Sequence, residues 1–495
     1  MPHLPAARSL LAASIFLCIL LWLFKLKLDD HAAVARIAKS PSNLLPCLTK
    51  PIVWQLDHLQ ETQRDPLNRL RTIEYGPFDG AVPREVSVNE PFKVHFTCLD
   101  NSLCPESFAA LIVGPAQHAF TSSANASQVQ KQHTFQIAEP GIYKVYLWPH
   151  FGTICAKYYD TPDPWYERLA TGSPFALHVT GGHPVRVTSS ACRNTDDILD
   201  GRWVNTADLH MSELAQLGLD PYETYIRQDR AQLAPYIWLP YTCHVQHRSM
   251  YSHLARLKAK HILVLGDSVM RDPFCQLIYE PHVENVTGSP CDASIGHDYH
   301  WLTKQVTIRY GDSPEDETLL SFVMATNDFG ADGKAPLKDE EARITPTHII
   351  WNQGLWFQLA RASAEVEYET MTRTSRLLLS LYPDARHIIR GTTSMHENIA
   401  CYEHLTGRDA SLRESDTARR VYEEERIRSS HARLAFMETF KYSDARPDSS
   451  KDGRHYSRVS FAGIAEDTVY AQRPRIGELD MWFVDLMFEI WAQDV

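Results

Sequence analysis

Residues 261–272, HILVLGDSVMRD, constrain the fold of this chain more than any other stretch. Ile262, Leu263, Val264 and Leu265 are apolar in succession with no alternation, the pattern of a strand buried on both faces. The run stops at Gly266 and hands over through Asp267 and Ser268 to a helix-compatible segment that reaches Tyr279. Such a junction puts Ser268 at the carboxyl end of a sheet and its backbone N–H at a helix N-terminus, where negative charge is stabilised. That position suits a nucleophile whose reaction passes through an oxyanion. It suits a plain helix cap equally well, and the stretch alone leaves both readings open.

The surrounding sequence has the same texture. After the linker Gly181-Gly182-His183-Pro184, apolar strand-like runs alternate with helical ones: 348–354 leads into amphipathic spacing from Leu359 to Leu381, and 387–394 follows. Then come a charged helix around Ser415–Phe440 and the closing apolar stretch LDMWFVDLMFEIWAQ. This alternation predicts an α/β, three-layer domain with a parallel sheet over residues 185–495. Ligands of such sheets gather at the carboxyl ends of strands. Three predicted ends carry polar residues: Asp267-Ser268, Asn352-Gln353-Gly354, and Arg390 to Ser394. Before the linker, short alternating runs between turn residues predict an all-β immunoglobulin/filamin-like sandwich over residues 81–181. Residues 29–80 are Pro-punctuated and read as a stem.

The first 28 residues hold the uncharged stretch SLLAASIFLCILLWLF, which Lys25 and Lys27 can extend by snorkelling. Two readings compete: an uncleaved signal anchor, or a signal peptide cleaved near Ala33-Val34-Ala35. The anchor is preferred because charged residues separate the apolar run from that site. A short span suits membranes of the early secretory pathway. The flanking Lys residues alone would favour the opposite topology, but other features point to the lumen. Asn125 and Asn285 begin glycosylation sequons, and nine of the ten Cys follow the apolar stretch without CxxC pairs. The expectation is a single-pass type II Golgi membrane protein with a lumenal catalytic domain. A net charge of −12 without a basic block argues against a nucleic-acid partner. No GxGxxG, P-loop or metal constellation is present, so no bound cofactor or metal is expected.

A serine nucleophile needs a base and an orienting group. Asp452-Gly453-Arg454-His455 supplies both within one turn, although with 23 His a single DxxH is weak by itself. It gains weight from its companions. These are Cys192 followed by Asp200-Gly201-Arg202-Trp203-Val204, Tyr236 to Pro240 with Cys243, and Gly266-Asp267-Ser268 with Arg271. Trp351 to Trp356 and Arg390 to Ser394 complete the series. In that order they resemble the SGNH/GDSL hydrolase layout, and more closely the PC-esterase domain of trichome birefringence-like proteins and of proteins joining it to a neurexophilin-like sandwich. The chain departs from the plant pattern where Tyr456-Ser457 stands in place of Trp-Cys after DxxH.

The resemblance implies an O-acetyltransferase acting on a glycan through an acetyl-serine intermediate. Ser268 would be the nucleophile, His455 the base and Asp452 its orienting group. The Ser268 N–H and the Asn352 side chain would form the oxyanion hole. Gly354, Trp356 and Arg390 would contact substrate, Arg271 would either do so or form a structural salt bridge, and Cys192 would pair with Cys243. Of Cys275, Cys291 and Cys401, the last two are expected to pair, with Cys275 buried behind the strand. The acetyl donor stays open between acetyl-CoA and another acetylated carrier, with an acetyl-supplying membrane partner as a further candidate. Two alternatives remain at this stage: an acetylesterase with the same triad, and a catalytically silent glycan-binding protein.

Overall fold

Period-two alternation builds the first part of the molecule in the computed structural model. It describes residues 75–100, 104–105, 107–122, 129–150, 169–183, 186–193, 195–219, 236–248, 250–278, 303–313, 315–325, 344–359, 362–395, 408–429, 433–446, 456 and 478–493. All of them belong to one unit, Pro66–Val495. Nine strands come first: β1 (Tyr75–Ala81), β2 (Glu85–Ser87), β3 (Phe92–Cys98), β4 (Ser107–Val113), β5 (Ala116–Thr121), β6 (Gln130–Phe135), β7 (Gly141–His150), β8 (Leu169–Thr171) and β9 (Phe175–Thr180). In β3, Phe92, Val94, Phe96 and Cys98 are buried while Lys93 is exposed, as one wet face requires. One sheet runs β6-β3-β1-β8, and the other strands join a second sheet. Between them Phe96 stacks on Phe78 and Phe108 with ring centroids 5.2 and 5.4 Å apart. A Cys98–Cys104 disulfide closes the end of β3.

The second sheet does not stop at the linker. After α1 (Thr195–Leu199), β10 (Gly201–Asn205) pairs antiparallel with β5, placing Trp203 opposite Gln117. Beyond α2 (Met211–Gln216), β11 (Tyr236–Pro240) pairs with β10, giving a seven-stranded order β11-β10-β5-β4-β7-β9-β2. Residues on both sides of 181–185 therefore share one sheet. The cause is local: GRWVN and YIWLP are apolar on both faces and need cover on each. A buried ion pair marks the seam, with Arg202 Nε 3.1 Å from Glu139 Oε1 and the guanidinium 4.5 Å over the Tyr241 ring.

The rest follows in order: α3 (Met250–Leu257), β12 (His261–Gly266), α4 (Ser268–Ile278), β13 (Thr303–Arg309), β14 (Glu317–Met324), β15 (His348–Trp351), α5 (Gly354–Leu359), α6 (Ala364–Leu381), β16 (Arg386–Arg390), α7 (Arg408–Ser429), β17 (Leu434–Met437), α8 (Phe440–Asp444) and α9 (Glu478–Gln493). The sheet order is β13-β14-β12-β15-β16-β17, with β12 central. Strands β14 to β17 and β12 run parallel, whereas β13 is an antiparallel edge. Leu263, Leu265, Ile349 and Ile389 meet Met371 and Leu378 of α6 and Val421 of α7. On the opposite face Ile262, Val264 and Ile388 belong to a core with Met270, Phe274, Trp482 and Trp491. Thus each residue of the apolar run finds cover on its own side.

The expected fold class is corrected in two respects. The chain is mixed α/β with mixed sheets, one of them shared across the expected domain boundary. The N-terminal transmembrane helix is not part of it: no described helix is long and apolar enough to cross a membrane. The longest, α7, has 22 residues rich in Arg and Glu, and the apolar α9 has 16, short of the roughly 20 a span needs. The stretch expected to span lies outside the described residues.

α9 is fastened by a buried carboxylate. Asp485 Oδ2 lies 2.6 Å from His247 Nδ1, and Oδ1 lies 2.7 Å from His253 Nε2. Burial alone would raise the Asp485 pKa, but the two rings together hold it well below the carboxylate range.

Candidate active site

Ser268 is the first residue of α4, at the carboxyl end of the central strand, and is partly buried. The cap belongs to its neighbour. Asp267, fully buried, accepts from the Val269 N–H at Oδ1 (2.9 Å), and its carbonyl accepts from Met270 (3.1 Å) and Arg271 (3.0 Å). The two readings left open by the sequence thus fall on different residues, with the cap on Asp267. Gly266 is required by close approach: a Cβ there would sit 2.7 Å from the Asn352 carbonyl and run into Met270. That approach brings the ends of β12 and β15 together.

The second strand end is a self-bonded turn. Asn352 Oδ1 accepts from the Gly354 N–H (3.1 Å), and Nδ2 donates to the Arg390 carbonyl (2.8 Å) and Thr392 Oγ1 (3.3 Å). Both amide hydrogens are therefore engaged, and Asn352 is 2% exposed. The side chain expected to donate to an oxyanion orders the turn and ties β15 to β16. Gly354 faces Thr392 so closely that any Cβ would overlap its hydroxyl.

The third end is held from α7 and α8. The Ser394 hydroxyl donates to Asp444 Oδ1 (2.8 Å), and Arg408 grips both Asp444 oxygens, Nε to Oδ1 and Nη2 to Oδ2, each at 2.7 Å. The Ser394 N–H donates to Ser443 Oγ (2.8 Å). Tyr456 is buried and its hydroxyl donates to the Ser394 carbonyl (2.6 Å). Met395, next in the chain, packs against Val269, which follows Ser268. Tyr456, the residue after His455, is thereby linked through two neighbours to the Ser268 turn.

Arg390, expected to contact substrate, is packed against the first turn of α4. It is 1% exposed, with Nη1 reaching the Val269 carbonyl (3.4 Å) and Met270 Sδ (3.1 Å) and the guanidinium 4.9 Å from the Phe483 ring. It braces the first turn of α4 from below. Arg271 is half-buried on that same turn, and Gly354 begins α5. Cys192 and Cys243 are bonded. Asp452, His455, Cys291, Cys401, Asn125 and Asn285 lie outside the described residues, as do the Trp356 and Cys275 side chains.

Sequence reasoning passed over Asp444, Arg408 and Tyr456. Asp444 and Arg408 stand 36 positions apart and carry no motif. Tyr456 had a signal, since it stands where the plant proteins the motifs resemble have Trp-Cys after DxxH. Among the described residues no group of three His, Cys, Asp or Glu is arranged to hold a metal. The chain matches no model of a known protein family and no curated protein.

Proposed function

We propose that the chain is a serine-dependent O-acetyltransferase acting on glycan hydroxyls, of the PC-esterase kind its motifs resemble. The observation that carries this reading is Ser268 itself: the first residue of a helix at the end of the central strand, with the cap assigned to Asp267. The helix N-terminus favours negative charge beside it. In the proposed reaction Ser268 Oγ attacks the acetyl carbonyl while His455, oriented by Asp452, takes its proton. The oxyanion collapses with loss of the donor group, which takes that proton from His455, leaving acetyl-serine. A sugar hydroxyl then attacks and gives its proton to His455, which passes it to Ser268 Oγ as the second oxyanion collapses, releasing the acetyl ester with Ser268 regenerated. The Tyr456–Ser394 bond supports this assignment, because it anchors the residue next to His455 beyond the end of β16, on the same edge of the sheet as Ser268. The Cys98–Cys104 and Cys192–Cys243 disulfides support an oxidising compartment such as the secretory lumen.

Incubation of purified protein with an acetyl donor and oligosaccharides, read by mass, tests the proposal. Acetyl gain on the sugar is expected from wild type and not from Ser268→Ala, whose melting temperature should be close to wild type. A fluorophosphonate should label wild type only. Acetyl loss from acetylated sugars without any gain would replace transfer by hydrolysis, and full activity in Ser268→Ala would remove Ser268 from the mechanism.

A further inference from the structure

Behind the Ser268 turn lies a buried acid that the proposed chemistry leaves unused. α7 turns Ser411, Glu414 and Ser415 toward the strand ends, where Ser415 Oγ packs on Gly391 so closely that a Cβ would come within 2.6 Å. Gln358 of α5 donates from Nε2 to Ser411 Oγ (3.0 Å) and to Glu414 Oε2 (2.8 Å). Glu414 is 0% exposed.

The groups around it can be counted element by element. α6 contributes Glu367, the β12–α4 turn contributes Asp267, α7 itself contributes Arg413, and α5 contributes the neutral Gln358. Glu367 and Asp267 are both 0% exposed. Arg413 is the cation of this set, and its fork is committed to Glu367, Nη2 to Oε1 at 2.7 Å and Nε to Oε2 at 3.3 Å. Among the described residues Glu414 is therefore left with an uncharged amide on Oε2 and no hydrogen bond on Oε1. A buried carboxylate facing two others, with its cation taken, is far less stable than the same group carrying a proton.

We propose that Glu414 is a positioning residue for the nucleophile turn, working as a neutral, hydrogen-bonded acid that ties α7 to α5. α5 begins at Gly354, directly after the Asn352-Gln353 turn, so the Glu414–Gln358 bond fixes the helix that continues it. This role presupposes the acyl-transfer reading for what the turn does. Burial pushes the Glu414 pKa well above the glutamate range; the Gln358 bond opposes this, Glu367 adds to it, Arg413 opposes and Asp267 adds. Below about pH 4.3, the ordinary glutamate value, the group is neutral in folded and unfolded chains alike. Above it the unfolded chain loses the proton first, so this contribution to stability is lost as pH rises toward the folded value.

Glu414→Gln keeps the shape of the neutral acid and cannot ionise, whereas Glu414→Leu keeps bulk without the bond. Melting temperatures from about pH 5 to about pH 8 should diverge in favour of Glu414→Gln as pH rises. Fluorophosphonate labelling of Ser268 should stay within about threefold of wild type in the Gln variant and fall about tenfold or more in a folded Leu variant. A melting-temperature difference that does not change with pH would overturn the inference. So would a Gln variant labelled as poorly as Leu, or a Leu variant labelled like wild type. If wild type is not labelled at all, the acyl-transfer reading fails, and the pH dependence of melting still decides the state of Glu414. The two failures are thus told apart.

Discussion

His348, the first residue of β15, shows what burial does to one ring. It is 6% exposed, lies against Trp491 with centroids 5.1 Å apart, and meets Thr347 Oγ1 at 2.9 Å. Burial first, and the Arg386 guanidinium second, lower its pKa to about 3. The folded chain therefore keeps the ring neutral while the unfolded chain protonates near pH 6.5. Stability is complete above that value and declines as pH falls toward 3, by on the order of 5 kcal/mol from this ring. Urea unfolding of wild type and His348→Gln at neutral and acid pH should show a shallower acid loss in the variant. Equal slopes would exclude His348 as a source of acid sensitivity. Arg390 teaches a related lesson. Its place in a motif suggests a substrate contact, and its 1% exposure and its bond to the Val269 carbonyl show in addition that it braces the turn. Residue type and spacing do not report which way a side chain leaves a strand end.

At the scale of elements, the β12–α4 junction was legible because an unbroken apolar run ending at Gly has few other uses. The partition of roles between Asp267 and Ser268 was not, since either residue type caps a helix. β17 was read as a continuation of a charged helix that in fact ends at Ser429. Leu434, Ala435, Phe436 and Met437 include good helix formers, and only pairing with β16 makes them a strand. The β13–β14 pair escaped for the same reason: TKQVTIR alternates, but nothing local says that it closes the sheet edge. The Cys192–Cys243 bridge, spanning 51 positions, fastens the entry to α1 onto the end of β11. In the chain-entropy model such a loop contributes about 4 kcal/mol. Replacing both Cys by Ser should lower stability by about 2–4 kcal/mol in denaturant titrations, while leaving Ser268 labelling measurable below the transition. A variant as stable as wild type would show that the strands hold this segment unaided.

For the whole molecule, the seam between the sandwich and the layers behind it matters more than either half. Beside the β5–β10 pairing, Trp203 Nε1 donates to the Tyr442 carbonyl (3.0 Å), and Gln117 Nε2 reaches the Ala445 carbonyl (3.4 Å). Those carbonyls flank Ser443 and Asp444, which hold the third strand end through Ser394. Composition shift and a Gly-Gly linker announced a boundary at 181–185; hydrogen bonding between distant strands, which no local pattern encodes, removed it. A chain lacking residues 75–183 should therefore fail to unfold cooperatively in calorimetry, because Arg202 loses Glu139 and β10 becomes an uncovered edge. A sharp transition in that variant would restore the two-domain view. α9 carries a different consequence, one for biosynthesis. It leaves the ribosome after every other described element, yet Trp482, Phe488 and Trp491 line one side of the sheet, and Asp485 is shared by His247 and His253. Until those 16 residues emerge, both rings lack their carboxylate and that side of the sheet is covered only in part. The Ser268 turn thus matures after translation of the whole unit rather than during it, and a stop codon just ahead of α9 would yield a client for chaperones instead of a shorter folded protein.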